Sequence, residues 1–141
     1  MLWNQKEIIL KSYKRGFFLV TDQVLDQLPE ISDFKLGMLH LFIKHTSASL
    51  AINENADPTV RLDLESHFNA FVPENASYYK HTAEGEDDMP AHIKAVTIGS
   101  SILIPISNGS LNLGLWQGIY LCEHRNVSSN RYIIATMNGS K

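Results

Sequence analysis

The sequence predicts an α+β fold with mostly antiparallel strands. Apolar and polar residues alternate along short segments near both ends of the chain, which is typical of β-strands. Two segments between them carry helix-start signals and helical spacing of apolar residues. The resulting order of strands, helix, helix and strands favours an α+β arrangement over a purely helical or purely β fold.

The size and composition indicate one globular domain, residues 1–141. Hydrophobic residues make up 44% of the chain and charged residues 19%, which excludes disordered and fibrous classes. The net charge of −3 argues against a nucleic-acid partner, which usually needs a basic patch. The sequence has no apolar run of about 18 residues, no secretory signal and only one cysteine, Cys122. We therefore expect a reduced cytoplasmic protein with no membrane partner.

The N-terminal segment predicts two strands and a short helix. Ile8–Leu10 and Phe17–Val20 are apolar and flank Lys14–Gly16, a pattern that predicts a β-hairpin. A short helix follows, with Thr21 or Asp22 as its cap.

The next two strands end in ionisable side chains. Leu36–Lys44 predicts a strand, and because side chains alternate along a strand, His45 continues its inward apolar row. Thr46–Glu54 predicts a second strand whose apolar row ends at Glu54, and Glu123 ends a third such row. Burying these groups costs several kcal/mol unless they are paired or bind a metal. These strand ends therefore either reach solvent or line a polar site.

Two helices are predicted in the middle of the chain. Asp57–Pro58 starts the first, with aspartate at the cap and proline in the first turn, and Pro73 ends it. The second covers residues 90–97, with the acidic residues 86–88 at its positive end and His92 in its first turn. The predicted buried stripe of the first helix consists of Val60, Leu64, Phe68 and Phe71.

The C-terminal third predicts further strands. Ile102–Ile106 alternates, Asn108–Gly109 is a hairpin turn signal, and Leu111–Leu115 forms an apolar row. Ile119–Glu123 is a further strand, and Arg131–Met137 is the last.

Three histidines in separate segments, His45, His81 and His92, are candidate metal ligands. Three imidazoles can form an open metal site in which the fourth position is left for water or substrate. Spacing alone does not decide this, because no short motif such as H-E-x-x-H is present. Each histidine also has an ordinary alternative: a strand end bonded to backbone, an exposed loop residue and a packed helix start.

Three further residues, Glu54, Glu123 and Arg131, are candidate catalytic residues. The carboxylates could orient metal ligands or act as general bases, and the arginine could hold a phosphate through two hydrogen bonds. The alternative for the two carboxylates is a cross-strand ion pair with Arg131 or Arg125, and the alternative for Arg131 is a surface arginine at the start of a strand. The acidic run Glu84–Asp88 could hold a hard cation such as magnesium, although such runs are usually solvated.

Four segments of the chain resemble the YjbQ-like family: His45–Leu50, Asn53–Pro58, Pro90–Lys94 and Leu113–Tyr120. The resemblance extends over about residues 6–139. Members of this family are often described as secondary thiamine-phosphate-synthase-type proteins.

The resemblance implies a β-sandwich-like core with two or three helices packed against it, assembled as a homotrimer. It also implies that His45, His81 and His92 bind a divalent metal, with zinc expected, near a subunit interface. The residues that it places in or near the same cleft are Glu54, Glu123 and Arg131. Which of Arg125 and Arg131 faces the site stays open.

The activity implied by the resemblance is thiamine phosphate formation. This reaction joins a pyrimidine diphosphate to a thiazole phosphate and releases pyrophosphate, so the expected partner is a small phosphorylated metabolite. It needs a cation, with magnesium as the alternative to zinc, and arginines that hold phosphates. A three-histidine zinc site suits the activation of water better. A zinc-dependent hydrolase is therefore one alternative, and a non-catalytic metal- or ligand-binding trimer is the other.

Overall fold

The computed structural model describes residues 1–141 and contains eight strands, three α-helices and one short 3-10 helix, Pro29–Asp33. The strands are β1 Leu2–Leu10, β2 Gly16–Leu19, β3 Leu36–Ile43, β4 Ala48–Glu54, β5 Ser101–Ser107, β6 Ser110–Leu111, β7 Gln117–Glu123 and β8 Arg131–Ser140. The helices are α1 Thr21–Asp26, α2 Pro58–Phe71 and α3 Asp88–Ile98.

The strands form two antiparallel sheets that enclose one apolar core. The larger sheet has the order β1-β8-β3-β5-β6 and the smaller one the order β2-β7-β4. Core residues come from both sheets, for example Leu41 and Ile133 from the larger and Leu50 and Leu121 from the smaller. The predicted α+β class with a sandwich-like antiparallel core is confirmed. None of the three helices is long and apolar enough to cross a lipid bilayer.

The predicted hairpin between β1 and β2 is wrong. β1 pairs along its whole length with β8, so that Ile8 lies opposite Ile133, whereas β2 pairs with β7 and Phe17 lies opposite Cys122. Lys11–Arg15 carries the chain from one sheet to the other. β8 offers β1 nine residue pairs, whereas β2 is four residues long, so the distant partner provides the longer ladder.

Helix α2 begins as the sequence predicts but is less buried. The Asp57 carboxylate accepts a hydrogen bond from the Thr59 N–H at 2.9 Å, which caps the helix. Leu64 and Phe68 pack against the smaller sheet, whereas Phe71 is 62% exposed. No residue of α2 is fully buried, so the predicted buried stripe is wrong: Leu64 and Phe68 are half-buried against the sheet and Phe71 projects into solvent.

Helix α3 begins at Asp88, two residues before the predicted start at Pro90. Asp88 and His92 consequently lie one helical turn apart, on the same side of the helix. Gly99 ends α3 with a φ of +114°, and its carbonyl accepts the N–H of Leu50 at 3.2 Å. This bond fixes the end of the helix against β4.

The turn at Asn108–Gly109 is confirmed: both residues have positive φ, +51° and +80°, as a two-residue hairpin requires. The strand predicted over residues 111–115 is wrong beyond Leu111. There the Gln117 side chain binds the N–H of Gly114 at 2.7 Å, so the chain turns back toward β7.

One face of the larger sheet lies on the core, and the other carries exposed apolar side chains. Ile9 lies opposite Tyr132 on adjacent strands, and Phe42 and Leu103 project from the same face. We call these four residues the outer patch. Exposed apolar side chains grouped on one face of a sheet are typical of association sites.

Candidate functional site

Two imidazoles and one carboxylate converge at the start of α3. The Nε2 atom of His81 lies 2.7 Å from Oδ2 of Asp88, and the Nε2 atom of His92 lies 3.1 Å from the same oxygen. One potential ligand atom from each residue lies within 4.8 Å of the others. The early helix start places Asp88 beneath His92, and the loop before α3 supplies His81. We call these three residues the His–Asp–His cluster.

The orientation of His92 is fixed by its second nitrogen. The Nδ1 atom lies 3.0 Å from the carbonyl oxygen of Thr46, which can only accept, so Nδ1 carries the proton. In the neutral ring, Nε2 then presents a lone pair to the Asp88 carboxylate. Two acceptors at this distance repel each other unless a cation lies between them, either a proton or a metal ion. Two imidazoles and a carboxylate form a donor set that zinc accepts in open sites.

Asp88 is held by Arg125, which packs beside it. The guanidinium donates from Nη1 to Oδ1 of Asp88 at 2.5 Å and from Nε to Oδ2 of Asp87 at 2.8 Å. Its Nη2 donates to the Glu84 carbonyl at 3.0 Å. Burial raises the pKa of Asp88, but the hydrogen bond from His81 and the charges of His92 and Arg125 outweigh it. The pKa of Asp88 therefore lies below its usual value, and the carboxylate is ionised and ready to bind a cation.

His45 has a different environment from the other two predicted ligands. Its Nε2 atom accepts the backbone N–H of Tyr132 at 2.8 Å, and its ring stacks on the Tyr132 ring with 6.0 Å between centroids. It shares no hydrogen bond with the His–Asp–His cluster. The structure thus brings His81 and His92 together, and it adds Asp88 where the sequence predicts His45 as the third ligand.

His45 and His92 nevertheless line one cleft. This cleft has a volume of about 520 Å³ and lies between the loop after β3 and the C-terminal half of α3. Its lining residues are His45, Thr46, Ala48, His92, Ala95, Val96, Gly99 and Ser100. A single imidazole, His92, is therefore part of both the cluster and the cleft wall.

Glu123 and Arg131 form a buried ion pair. The guanidinium donates from Nε to Oε1 at 2.7 Å and from Nη2 to Oε2 at 2.6 Å, and Nη2 also donates to Ser47 Oγ at 3.1 Å. Both residues are buried, and Glu123 is fully inaccessible. The predicted cross-strand pair is thus present. The edge of the guanidinium formed by Nε and Nη2 is bound to a carboxylate of its own chain, so this edge is not open to a phosphate.

Glu54 lies elsewhere. Its carboxylate accepts the backbone N–H groups of Ala56 and Asp57, at 2.5 Å and 3.1 Å, just before α2. Ala48, which pairs with Glu123, is at the opposite end of β4, about 20 Å away at the usual rise per residue. The structure does not bring Glu54 to the cluster or to the cleft.

The sequence offers one local signal for Asp88. An aspartate four residues before a histidine, at a helix start, places both on one helical face. Because the sequence predicts a helix start at Pro90, it assigns Asp88 only to the acidic run Glu84–Asp88 and not to the helical face of His92. The residues of this acidic run differ in burial: Asp87 and Asp88 are buried and paired, whereas Glu86 is exposed.

A second polar network lies under the smaller sheet. His124 is buried directly after β7, and its Nε2 lies 2.7 Å from Ser49 Oγ. Burial and the positive charges of Lys94 and Arg131 lower the pKa of His124 to about 3. Its Nδ1 has no hydrogen-bond partner. This ring is therefore neutral and closed off from solvent.

Comparison with known proteins places the chain among relatives of matching length. Residues 6–140 match the model of the family described as UPF0047 protein YjbQ-like. The UPF0047 protein YjbQ of Salmonella typhimurium is 51% identical over 138 residues, which cover 98% of this chain and 99% of that protein. The UPF0047 protein YugU of Bacillus subtilis is 33% identical over 118 residues, covering 84% of this chain and 87% of that one.

Two solved structures share the fold. A YbjQ-like protein of unknown function from Sulfolobus solfataricus has a TM-score of 0.86 at 26% identity, covering 99% of both chains. An uncharacterized conserved protein of the yjbq/upf0047 family from Clostridium acetobutylicum has a TM-score of 0.80 at 39% identity, covering 92% of this chain and 97% of that chain.

Proposed function

This chain belongs to the UPF0047 YjbQ-like family, and on that basis we propose that it is a zinc-dependent enzyme whose metal is held by His81, Asp88 and His92. The proposed reaction is the hydrolysis of a small uncharged substrate that binds in the cleft beside His92. The proposal keeps two of the three predicted histidine ligands and replaces His45 with Asp88.

The observation that carries the proposal is the approach of two Nε2 atoms to one carboxylate oxygen. With Nδ1 of His92 bonded to the Thr46 carbonyl, the only atom that His92 can offer to a cation is Nε2, which points at Asp88. Imidazole nitrogen favours zinc over magnesium, which prefers oxygen ligands. Thr46 and Arg125 fix the two ligands from outside, as partners of metal ligands commonly do.

Zinc in an open three-ligand site supplies Lewis-acid chemistry and lowers the pKa of a bound water, which suits hydrolysis. The remaining roles belong to side chains of the protein. His81 and His92 hold the ion, Asp88 balances its charge, and Arg125 keeps the Asp88 carboxylate ionised and oriented. The cleft next to His92 admits a substrate on one side of the ion and presents mostly small side chains to it.

Thiamine phosphate formation, the activity that the resemblance implies, is the second candidate. A divalent ion at the cluster would serve it by neutralising the diphosphate. The two nearby arginines do not favour it, because Arg131 is paired with Glu123 and Arg125 with Asp87 and Asp88. A phosphorylated substrate would have to break one of these pairs. We therefore rank hydrolysis first.

We further propose that the chain assembles as a homotrimer, as the resemblance implies. The outer patch supports self-association, since an exposed apolar sheet face of this kind is typical of subunit interfaces. Tyr132 belongs to the patch and also donates its N–H to His45. An interface at the patch would therefore border the cleft.

Elemental analysis of protein purified without added metal tests the proposal. We expect close to one zinc ion per chain in the wild type and in His45→Ala, and almost none in the double variant His81→Ala/His92→Ala. Equal zinc in all three proteins, or loss in His45→Ala alone, would overturn the ligand set. The zinc-loaded protein should hydrolyse 4-nitrophenyl esters. Activity that survives complete removal of zinc would overturn the catalytic role of the metal, and no hydrolysis by the zinc-loaded protein would overturn the enzymatic role.

A further inference from the structure

The hydrogen bonding of His45 determines which of its nitrogens carries the proton. The backbone N–H of Tyr132 donates to Nε2 at 2.8 Å, so Nε2 must present its lone pair. The neutral ring then has its proton on Nδ1. This N–H has no acceptor anywhere in the protein, and it is not among the buried polar atoms that lack a partner. It is therefore a free donor at an accessible position.

Burial and nearby positive charges favour the neutral ring of His45. Burial lowers its pKa most, and the positive charges of Arg131 and Lys44 act in the same direction, against the opposing charge of Glu123. The hydrogen bond from Tyr132 independently favours the neutral ring, because a proton on Nε2 would point at the N–H of Tyr132. His45 thus offers an uncharged N–H donor rather than a cation.

The cleft around this donor is mainly apolar. Half of its lining residues are Ala48, Ala95, Val96 and Gly99, and no lysine, arginine or carboxylate lines it. Such a surface does not suit a phosphate or a carboxylate, which binds where cations or several donors converge. It suits an uncharged acceptor, such as a carbonyl oxygen, attached to a small apolar group.

We propose that this cleft binds the acyl part of a neutral ester or amide, with Nδ1–H of His45 donating a hydrogen bond to its carbonyl oxygen. The proposal rests on the proposed hydrolytic function and names its substrate class. His92 lies on the wall of the cleft and also belongs to the His–Asp–His cluster, so one imidazole connects the proposed acyl-binding cleft to the proposed metal ligands. His45 is then a substrate-binding donor and not a metal ligand.

Nitrogen-15 NMR of the metal-free protein tests the binding role without any activity. We expect His45 to show a protonated Nδ1 and an unprotonated Nε2. Titration with isobutyramide, a small neutral amide, should shift the Nδ1–H resonance and the backbone amides of Ala95 and Gly99. A proton on Nε2, or unchanged Ala95 and Gly99 amides at saturating isobutyramide, overturns the proposal.

Kinetics on the zinc-loaded protein gives the second test, with 4-nitrophenyl isobutyrate as substrate. His45→Ala should lower kcat/KM about 100-fold, the usual cost of removing one donor to a developing oxyanion, while its zinc content stays at the wild-type level. His45→Gln, which keeps one acceptor and one donor in its amide group, should recover part of the loss and also guards against a folding defect. Unchanged kcat/KM in His45→Ala overturns the proposal.

The two proposals fail in different ways. A wild type that binds no zinc removes the proposed function, yet the metal-free titration still decides whether the cleft takes a carbonyl compound. A wild type that binds zinc and hydrolyses the ester, with no dependence on His45, leaves the proposed function intact and removes this inference.

Discussion

The Nδ1 atom of His92 donates to the carbonyl oxygen of Thr46 across 3.0 Å, which joins helix α3 to the loop after β3. The bond fixes the rotation of the imidazole, so that its other nitrogen faces Asp88 at 3.1 Å. Thr46, which the sequence predicts as the first residue of a strand, lies in the loop before β4 and therefore orients a proposed metal ligand from that loop.

Replacing Asp88 with asparagine should lower the affinity for zinc by more than about 100-fold. The change removes the negative charge shared by His81 and His92 and leaves the side chain almost the same size, and even the loss of an outer partner of a ligand commonly costs 10- to 100-fold. Isothermal titration of metal-free protein with zinc measures the effect. Glu84→Gln is the control, because Glu84 is exposed and lies 3.6 Å from His81. An equal loss in both variants would favour a diffuse acidic site instead.

Stability should depend on pH through His124. Its pKa is about 3 in the folded protein and near 6.5 when unfolded, so below pH 6.5 the unfolded state binds more protons. The contribution of the neutral His124 ring to the free energy of unfolding is fully present above about pH 6.5. It falls by about 1.4 kcal/mol for each pH unit below that value. Urea denaturation from pH 7 to pH 4 should show this slope in the wild type and a shallower one in His124→Gln.

The control for that experiment is His67→Gln, which replaces an exposed histidine on α2. It should keep the wild-type slope. Parallel pH profiles for the wild type and His124→Gln would mean that His124 is not buried in its neutral form.

Glu123→Gln should lower the free energy of unfolding by about 3 kcal/mol. The variant leaves the buried guanidinium of Arg131 without its counter-charge, and breaking a buried pair in this way is far more costly than replacing both partners. The double variant Glu123→Leu/Arg131→Met should therefore be more stable than Glu123→Gln. Urea denaturation at pH 7 compares the two. A double variant that is less stable than the single one would show that the pair itself stabilises the fold.

Phe42→Lys should convert the proposed trimer to smaller species. The charge lies in the outer patch, where it would be buried against another copy without a partner. Light scattering coupled to size-exclusion chromatography measures the mass. Leu62→Lys is the matched control, because Leu62 is an exposed leucine on α2, outside the patch. A wild type with the mass of one chain would contradict the assembly.

Local chemistry made much of the fold predictable. The cap at Asp57 and the turn at Asn108–Gly109 depend on residues within a few positions of each other, and both are present as predicted. Strand parity also placed Ile43 in the core and His45 directly beyond it. Pairing partners were not predictable in this way, because the partner of β1 is β8, which follows it only after all the other elements.

In the candidate site, too, the features set by residues nearby in sequence were easier to predict than those set by distant residues. His81 and His92 were candidates because of their residue type, and the structure brings them together. Asp88 is not predicted as a ligand, because helix α3 begins two residues before the start that the sequence predicts. The proton position on His45 depends on Tyr132, which is 87 positions away, and no local pattern contains that information.

The placement of β8 between β1 and β3 has a consequence for how the chain reaches its native state. β8 follows the other strands in sequence and is an interior strand of the larger sheet, so neither β1 nor β3 can complete its hydrogen bonding until β8 has been synthesised. Topologies that depend on such distant pairings fold slowly, and until β8 is in place the edges of β1 and β3 stay unpaired and their apolar faces stay exposed. Formation of the larger sheet should therefore depend on the synthesis of β8, and chaperone dependence should be greatest for nascent chains that end before β8.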